Sequence, residues 1–283
     1  MRPVMEKKKL EPRHIVYIII ILMCLCAIGV AIYMQFFKDE KLGVIFGITS
    51  EKEDEEYKEL KSNFLNIFDN SIKIVEKYSG TVEKIRDGED IIIVAYDSQE
   101  QKENYTIDMK IPCFNINSNV AKQYNQQIRS LFKQKSENVM SSNSKKNVIY
   151  NVKYKAYEKN NILSLIILSE LKEGESSERI IIQTYNYNLQ TNEEVTIDDM
   201  LNLKNISIDD ANNTIKNEVN NAQEQNIKLS ELGYNVDIRD AESDVYKIEN
   251  AKEFFIGENG YLYIVYAYGN DSLTSEIDVV IFR

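Results

Sequence analysis

VIYNVKYKAYEKNNILSLIILSELKEGESSERIIIQTYNYNL, residues 148–189, decides the fold. Val148, Tyr150, Val152, Tyr154 and Ala156 alternate with mostly polar neighbours, which is the period of a strand with one wet face. Ile162–Leu171 is apolar on both faces for most of its length and therefore belongs in the middle of a sheet. Arg179–Leu189 alternates again and ends in Tyr185-Asn-Tyr187-Asn-Leu189. The connections Glu158–Asn161 and Lys172–Ser177 are short and polar, so the three strands form an antiparallel meander.

Upstream, Asp87-Gly88 marks a turn before a strand at Ile91–Tyr96, and Tyr105–Ile111 is a second strand. Asp97–Asn104 is a charged connection between them, and Pro112 stops the second strand. Asn117 or Ser118 caps a helix carrying Val120, Tyr124, Ile128, Leu131 or Phe132, and Val139 on one side. Its other face is Lys, Gln, Ser and Asn, so it lies on the surface over a sheet. Further upstream, Tyr57, Leu60, Phe64, Ile67 and Phe68 form one apolar helical stripe that needs a cover.

Downstream, Thr196-Ile-Asp-Asp199 and Ser207-Ile-Asp-Asp210 place a hydroxyl three residues before an acid, a close variant of the capping box. Val195 and Met200 can staple the first start; Ile208, Ala211, Ile215, Val219 and Ala222 line one side of the second helix. The chain then gives a hairpin of Glu253–Ile256, the turn Gly257-Glu-Asn-Gly260 and Tyr261–Tyr268, followed by a last strand at Glu276–Phe282. The fold class expected from this order is α+β, an antiparallel sheet with helices packed on it.

The N-terminus speaks to location. Residues 15–37 hold no charge and no proline, and 23 helical residues are long enough to cross a hydrocarbon core. A cleaved signal peptide would have a shorter apolar region and a small-x-small end, whereas this one ends Tyr33-Met34-Gln35-Phe36-Phe37. Met23 and Leu25 stand where a lipobox before Cys24 or Cys26 needs a small residue. The basic flank of Arg2, Lys7, Lys8, Lys9 and Arg13 predicts a cytoplasmic N-terminus and an extracytoplasmic C-terminal domain. The expected division is a cytoplasmic tail at 1–14, a single transmembrane helix at 15–37, a stalk and amphipathic helix at 38–80, and two modules at 81–141 and 142–283. The tail holds five basic and two acidic residues, leaving 29 basic and 43 acidic beyond residue 37, a net charge of −14. Such a surface repels nucleic acid and attracts cations. Cys113 is alone outside the span, so the ectodomain has no internal disulfide, a usage that fits a bacterial envelope better than an animal secreted domain.

Chemistry is sparse. The one histidine, His14, lies beside the predicted span, which excludes a His-dependent triad or His-ligated metal outside it. Asp198, Asp199, Asp209 and Asp210 stand where helix N-termini want negative charge, and capping explains them better than a catalytic carboxylate pair. Asp237, Asp240, Glu242 and Asp244 lack calcium-loop spacing. No catalytic residue, metal or cofactor is expected, and the chain is read as no enzyme. Of 18 tyrosines, Tyr185 and Tyr187 in one strand and Tyr261, Tyr263, Tyr266 and Tyr268 in another are the candidate ligand-binding residues, either as a stacking face for a partner or as filling beneath the helices.

Tyr105-Thr-Ile-Asp-Met-Lys-Ile-Pro112, followed by Val120-Ala-Lys-Gln-Tyr-Asn125-Gln-Gln-Ile128, resembles the first module of the PdaC/RsiV-like extracytoplasmic region shared by peptidoglycan deacetylases and lysozyme-sensing anti-sigma factors. The stretch from Tyr185 to Leu201, with Val195-Thr-Ile-Asp-Asp-Met-Leu201, is similar to the second module's strand and helix start, and Phe254–Tyr266 to its closing hairpin. The resemblance runs from about Ile91 to Arg283 and implies a sensor-like or binding region, which in that family can bind lysozyme, a cationic protein. It brings neither the deacetylase domain, whose metal needs His, nor an anti-sigma domain, for which the 14 residues before the span are too few. The expectation is a non-catalytic, single-pass binding or sensor-like protein of a Gram-positive-type cell envelope. It would recognise a cationic protein such as lysozyme or a wall-derived ligand. The alternative is an accessory subunit of a membrane or envelope complex with no soluble ligand.

Overall fold

The computed structural model describes residues 50–74, 82–141, 147–234, 236, 238–268 and 276–283. The expected cytoplasmic tail and the span at 15–37 lie outside these residues. Among the described residues no helix is long and apolar enough to cross a membrane. The chain divides into two units, Met1–Leu60 and Lys61–Arg283. Of the first, the structure describes the start of helix α1, Ser50–Ser62. Everything below concerns the second.

The meander is present as read. Strands β4 (Val148–Lys159), β5 (Ile162–Glu173) and β6 (Arg179–Asn188) pair antiparallel in sequence. The β4–β5 connection is two residues long, Asn160 and Asn161, both with positive φ (54° and 61°), the geometry of a type I′ hairpin. Asparagine tolerates that left-handed region better than other side chains with a Cβ. β5 is buried on both faces from Ile162 to Leu168, as its unbroken apolar run required.

The full sheet is mixed, which corrects the antiparallel expectation. Strand order is β2–β3–β4–β5–β6, with β2 (Ile92–Gln101) antiparallel to β3 (Tyr105–Phe114) but β3 parallel to β4. The cause is the connection. Residues 115–147 carry a helix across one face, returning the chain to the end at which β3 began. A short strand, β1 (Ser71–Ile74), also joins β4 in parallel, taking the edge at Lys155–Glu158 that β3 leaves beyond Val152. Pro112 does not stop β3, which runs on to Phe114. It sits where β3 no longer pairs with β4, opposite the bulge between Val94 and Tyr96, so no ladder needs its missing N–H. The charged stretch after Tyr96 likewise stays in β2 as far as Gln101, because an edge strand can carry polar side chains on its open face.

Ser118 caps α2 (Asn119–Ile128) by accepting from the Ala121 N–H at 3.1 Å. The helix passes through a π turn, Arg129–Lys133, into α3 (Gln134–Ser141). Tyr124, Ile128, Phe132 and Ser136 are buried at steps of four, longer than the 3.6-residue period. The wider turn absorbs that excess; it brings Phe132 inward and leaves Leu131 half exposed. This helix covers a core built from β2–β6, including Ile107, Met109, Tyr150, Leu165 and Tyr187. The boundary expected between 141 and 142 therefore falls within one sheet and one core.

A second core lies under α4 (Ile197–Lys204) and α5 (Ile208–Glu231), which pack on a three-stranded sheet of β7 (Glu253–Ile256), β8 (Leu262–Tyr268) and β9 (Glu276–Phe282). Both cap signatures formed. Thr196 and Asp199 make the full capping box, and Ser207 Oγ accepts from the Asp210 N–H at 3.1 Å. Asp199 thus serves the cap of α4 by accepting the Thr196 N–H at 2.8 Å, and Asp210 accepts the Ser207 hydroxyl at 2.7 Å. The turn at Gly257–Gly260 closes with the Gly260 N–H on the Gly257 carbonyl at 3.0 Å. Gly257 must be glycine, since a Cβ there would stand 2.6 Å from the Tyr263 ring.

Phe64 and Phe68, from the upstream stripe, are buried around a 3-10 turn (Phe64–Ile67). Phe64 packs 6.2 Å from Phe255 and 6.5 Å from Tyr263. The segment is tied to the meander by Lys155, whose nearly buried ammonium meets Asp69 at 2.6 and 2.8 Å and Ser71 Oγ at 2.7 Å.

Candidate functional site: an acidic cleft beside strand β6

The two sheets are joined by polar side chains. Thr184 Oγ1 accepts the Phe254 N–H at 3.0 Å, and Asn186 Nδ2 donates to the Phe254 carbonyl at 2.7 Å. Ser164 Oγ donates to Asn186 Oδ1 at 2.7 Å and accepts from the Ile256 N–H at 3.2 Å. These buried groups satisfy one another, so a register of side chains replaces a backbone ladder between β6 and β7. At the head of β7 the join opens. Glu253 Oε2 takes the Thr184 N–H at 2.6 Å and its hydroxyl at 3.1 Å, and Oε1 takes Gln183 Nε2 at 2.9 Å. Upstream of Glu253 the chain lies apart from β6 and leaves a cleft of about 760 Å³.

One wall of the cleft is β6 itself, at Ile181, Ile182 and Gln183. The other is built by two 3-10 turns, Asp244–Tyr246 and Ile248–Asn250. Lys247, extended between the two turns, breaks the phase from one to the next. Tyr246 and Ile248 point into the second core, which leaves Asp244, Val245 and Glu249 on the cleft. Lys252, Val265 and Tyr266 complete it. Three carboxylates thus line the cleft, with the Lys252 ammonium among them and the Lys247 ammonium on Asp244.

The three acids are in different states. The Lys247 ammonium, 2.6 Å away, holds the Asp244 carboxyl below the usual carboxylate range. Glu249 is also held low, by a bond from its own backbone amide and one from Asn212 Nδ2 at 3.1 Å. Glu253 goes the other way: burial pushes its carboxyl up, against the opposing pull of its bonds to Thr184 and Gln183. The Tyr266 hydroxyl is buried and has no hydrogen-bond partner; burial and the charge of Glu249 push its pKa up, keeping it neutral. Apolar walls (Ile181 and Val245 are each 54% exposed) with ionised carboxylates at the rim match an aliphatic cation, whose stem is apolar and whose head is charged.

The raised Glu253 carboxyl has a consequence for stability. An acid that holds its proton more tightly in the folded chain than in the unfolded one stabilises the fold only while protonated. Stability is expected to fall as pH rises above the ordinary glutamate value of 4.5, until the raised folded value is passed. Melting temperatures of the wild type and Glu253→Gln across pH 4–8 check this: the wild type carries the downward slope and the variant lacks its share.

The tyrosines singled out in the sequence are placed differently. Tyr185 (3% exposed) packs with its ring tilted against Tyr124, 5.0 Å away, beneath α2. Tyr187 is fully buried, donating to Asn192 Oδ1 at 2.9 Å and lying 3.0 Å from Ser118 Oγ. Tyr263 lies flat on Phe255 at 4.7 Å, and Tyr266 meets Tyr246 edge-on at 5.3 Å. Tyr261 is half-buried before β8, and Tyr268 ends the strand. The buried rings present no open stacking face. Tyr263 and Tyr266, three residues apart, stand on opposite faces of β8, as strand alternation dictates. Among those whose side chains are described, Tyr266 alone reaches the cleft. Of the scattered acids, Asp237 lies outside the described residues, Glu242 pairs with Lys216, and Asp244 belongs to the cleft. The acids Glu249 and Glu253 were missed. The signal available was an acid at the head of the apolar run Phe254-Phe-Ile256, where a strand start would not ordinarily bury a charge.

A smaller cleft of about 360 Å³ lies between the β2 bulge and the π turn, with Cys113, Asn125, Arg129 and Lys133 in its wall. Lys133 sits over the Tyr96 ring at 5.3 Å. Burial pushes the Cys113 thiol up, away from the thiolate a nucleophile needs.

No family model and no curated protein matches the chain. Among solved structures it is similar to a DUF3298 family protein from Pseudomonas aeruginosa, at 8% identity over 72% of this chain and 91% of that one, with a TM-score of 0.37. It is also similar to a DUF3298 family member from Bacteroides fragilis, at 12% identity over 73% and 91%, with a TM-score of 0.34. The structural neighbours of this chain are thus DUF3298 family proteins, at a likeness from which no residue or activity is transferred.

Proposed function

We propose that this chain is a non-catalytic, membrane-anchored binding protein of the bacterial cell envelope, displayed outside the cell, that recognises a cationic protein through the cleft beside β6. The observation that carries this reading is the cleft's lining: ionised Asp244 and Glu249 and buried Glu253 around apolar walls, with an unpartnered Tyr266 hydroxyl at hand. The net charge of −14 beyond residue 37 acts in the same direction, raising the encounter rate with a basic partner. The motifs resembling the PdaC/RsiV-like region suggest lysozyme as the first partner to try.

The test is lysozyme binding by the full chain in detergent, measured at low salt and at 0.5 M salt, with Asp244→Asn/Glu249→Gln beside the wild type. Both substitutions are on exposed turns and remove two charges from the cleft. Binding at low salt, lost at high salt where the screening length is about 4–5 Å, and weakened roughly tenfold by the double variant, is the expected result. Absence of binding at low salt, or a double variant that binds as the wild type does, overturns the assignment.

A further inference from the structure

We infer that the outer edge of β6 is a strand-addition site for an extended basic segment of a partner polypeptide, seated in the acidic cleft. The inference rests on the cation-binding reading of that cleft and adds the backbone to it. β6 is the last strand of its sheet. In an antiparallel pair the N–H and C=O of one residue point to the same side, and the sides alternate along the strand.

Three bonds fix which residues of β6 point away from β5. The Thr184 N–H goes to Glu253, the Asn186 carbonyl accepts the Val195 N–H at 3.0 Å, and the Asn188 N–H goes to the Glu193 carbonyl at 2.9 Å. Even-numbered residues therefore face outward. The next two, Ile182 and Ile180, have no strand beside them among the described residues; Ile182 lines the cleft, and Ile180 continues the same outward edge two residues before it.

Open edges of this kind are ordinarily blunted by lysine, proline or a bulge. None is present between Ile180 and Gln183, and Ile181 adds an exposed apolar side chain. Glu253 ends the open stretch by standing in for a strand's acceptor at Thr184. A strand added here takes main-chain bonds from Ile180 and Ile182, while its alternate side chains meet the cleft, the division of labour by which edge addition gains affinity and specificity. Charge selects the occupant: with Asp244 paired to Lys247, the carboxylates of Glu249 and Glu253 still outnumber the Lys252 ammonium, which calls for a segment with Lys or Arg at alternate positions.

The experiment uses the full chain in detergent and a blocked (Lys-Val)4 peptide. A second peptide of identical charge, N-methylated at its four central residues, can offer no backbone donor there. The unmodified peptide is expected to bind, the methylated one at least tenfold more weakly, and hydrogen exchange at the Ile180 and Ile182 amides to slow on binding. Equal binding of both peptides overturns strand addition and leaves the acidic cleft standing as a side-chain site. No binding of either overturns both. Slowed exchange at Ile180 and Ile182 that grows with protein concentration, without peptide, assigns the edge to a second copy and overturns the proposal.

Discussion

Replacing Asp278 with alanine is expected to cost about 3–5 kcal/mol, because it strands a buried guanidinium. Asp278 stands on β9 opposite Tyr266, with its side chain 11% exposed; Arg239, its partner, is 7% exposed. Arg239 Nε reaches both carboxylate oxygens, at 3.0 and 2.8 Å, and the Tyr246 hydroxyl donates to Oδ2 at 2.9 Å. The pair pins the segment after α5 to the second sheet, and the Arg239 N–H on Gln223 Oε1 at 2.5 Å adds a tie to the helix itself. Removing one partner leaves the other desolvated, which is far worse than removing both. The double variant Arg239→Met/Asp278→Leu is therefore expected to fall within about 1 kcal/mol of the wild type, or above it. Urea midpoints of the wild type, the single variant and the double variant decide the matter. A single variant as stable as the wild type would show that solvent reaches Arg239 freely.

Phe255→Ala is the second large effect, at about 3–5 kcal/mol for an aromatic removed from a closed core. Phe255 is 1% exposed and sits between Tyr157 of the first sheet, at 6.1 Å, and Tyr263 of its own, at 4.7 Å, with Phe64 at 6.2 Å. At this one residue the two sheets and the upstream 3-10 turn all meet. Its loss is expected to do more than lower the urea midpoint. Limited proteolysis between Phe64 and Ile74 should accelerate, because the turn loses its seat while Lys155 and Asp69 remain. If stability falls but that segment keeps its protection, the aromatic contact is not what holds it.

Local rules made much of this architecture readable. The alternation in β4 and β6, the doubly apolar β5 and the Asn-Asn turn between β4 and β5 each depend on neighbours a few residues apart. The same holds for the caps at Thr196 and Ser207. The stripe on α2 was readable except at one place: four-residue spacing left Leu131 and Phe132 undecided until a π turn settled it. Strand direction was harder to read. Nothing in the residues of β3 says that β4 lies parallel to it, since pairing follows from where an intervening helix delivers the chain.

The candidate site was the least legible part. Tyrosines drew attention because they are many, but abundance carries no direction, and burial beneath α2 and against Phe255 claimed most of them. In the sequence, Glu253 is simply the first residue of a strand, and nothing around Glu249 marks it out. What makes them a site is that the chain before β7 stands off from β6 and joins it at Glu253, bringing residues about 70 positions apart to one cleft.

The sequence by itself determined the strands of the meander, the capped helix starts and the acidic charge, because pattern, caps and composition act over short range or none. Only the tertiary structure decided that β3 and β4 run parallel, that Phe64 and Phe255 share a core, and that an open edge of β6 meets three carboxylates. Those facts depend on contacts between residues far apart in the chain, where the free energy comes from burial and pairing that no local window contains.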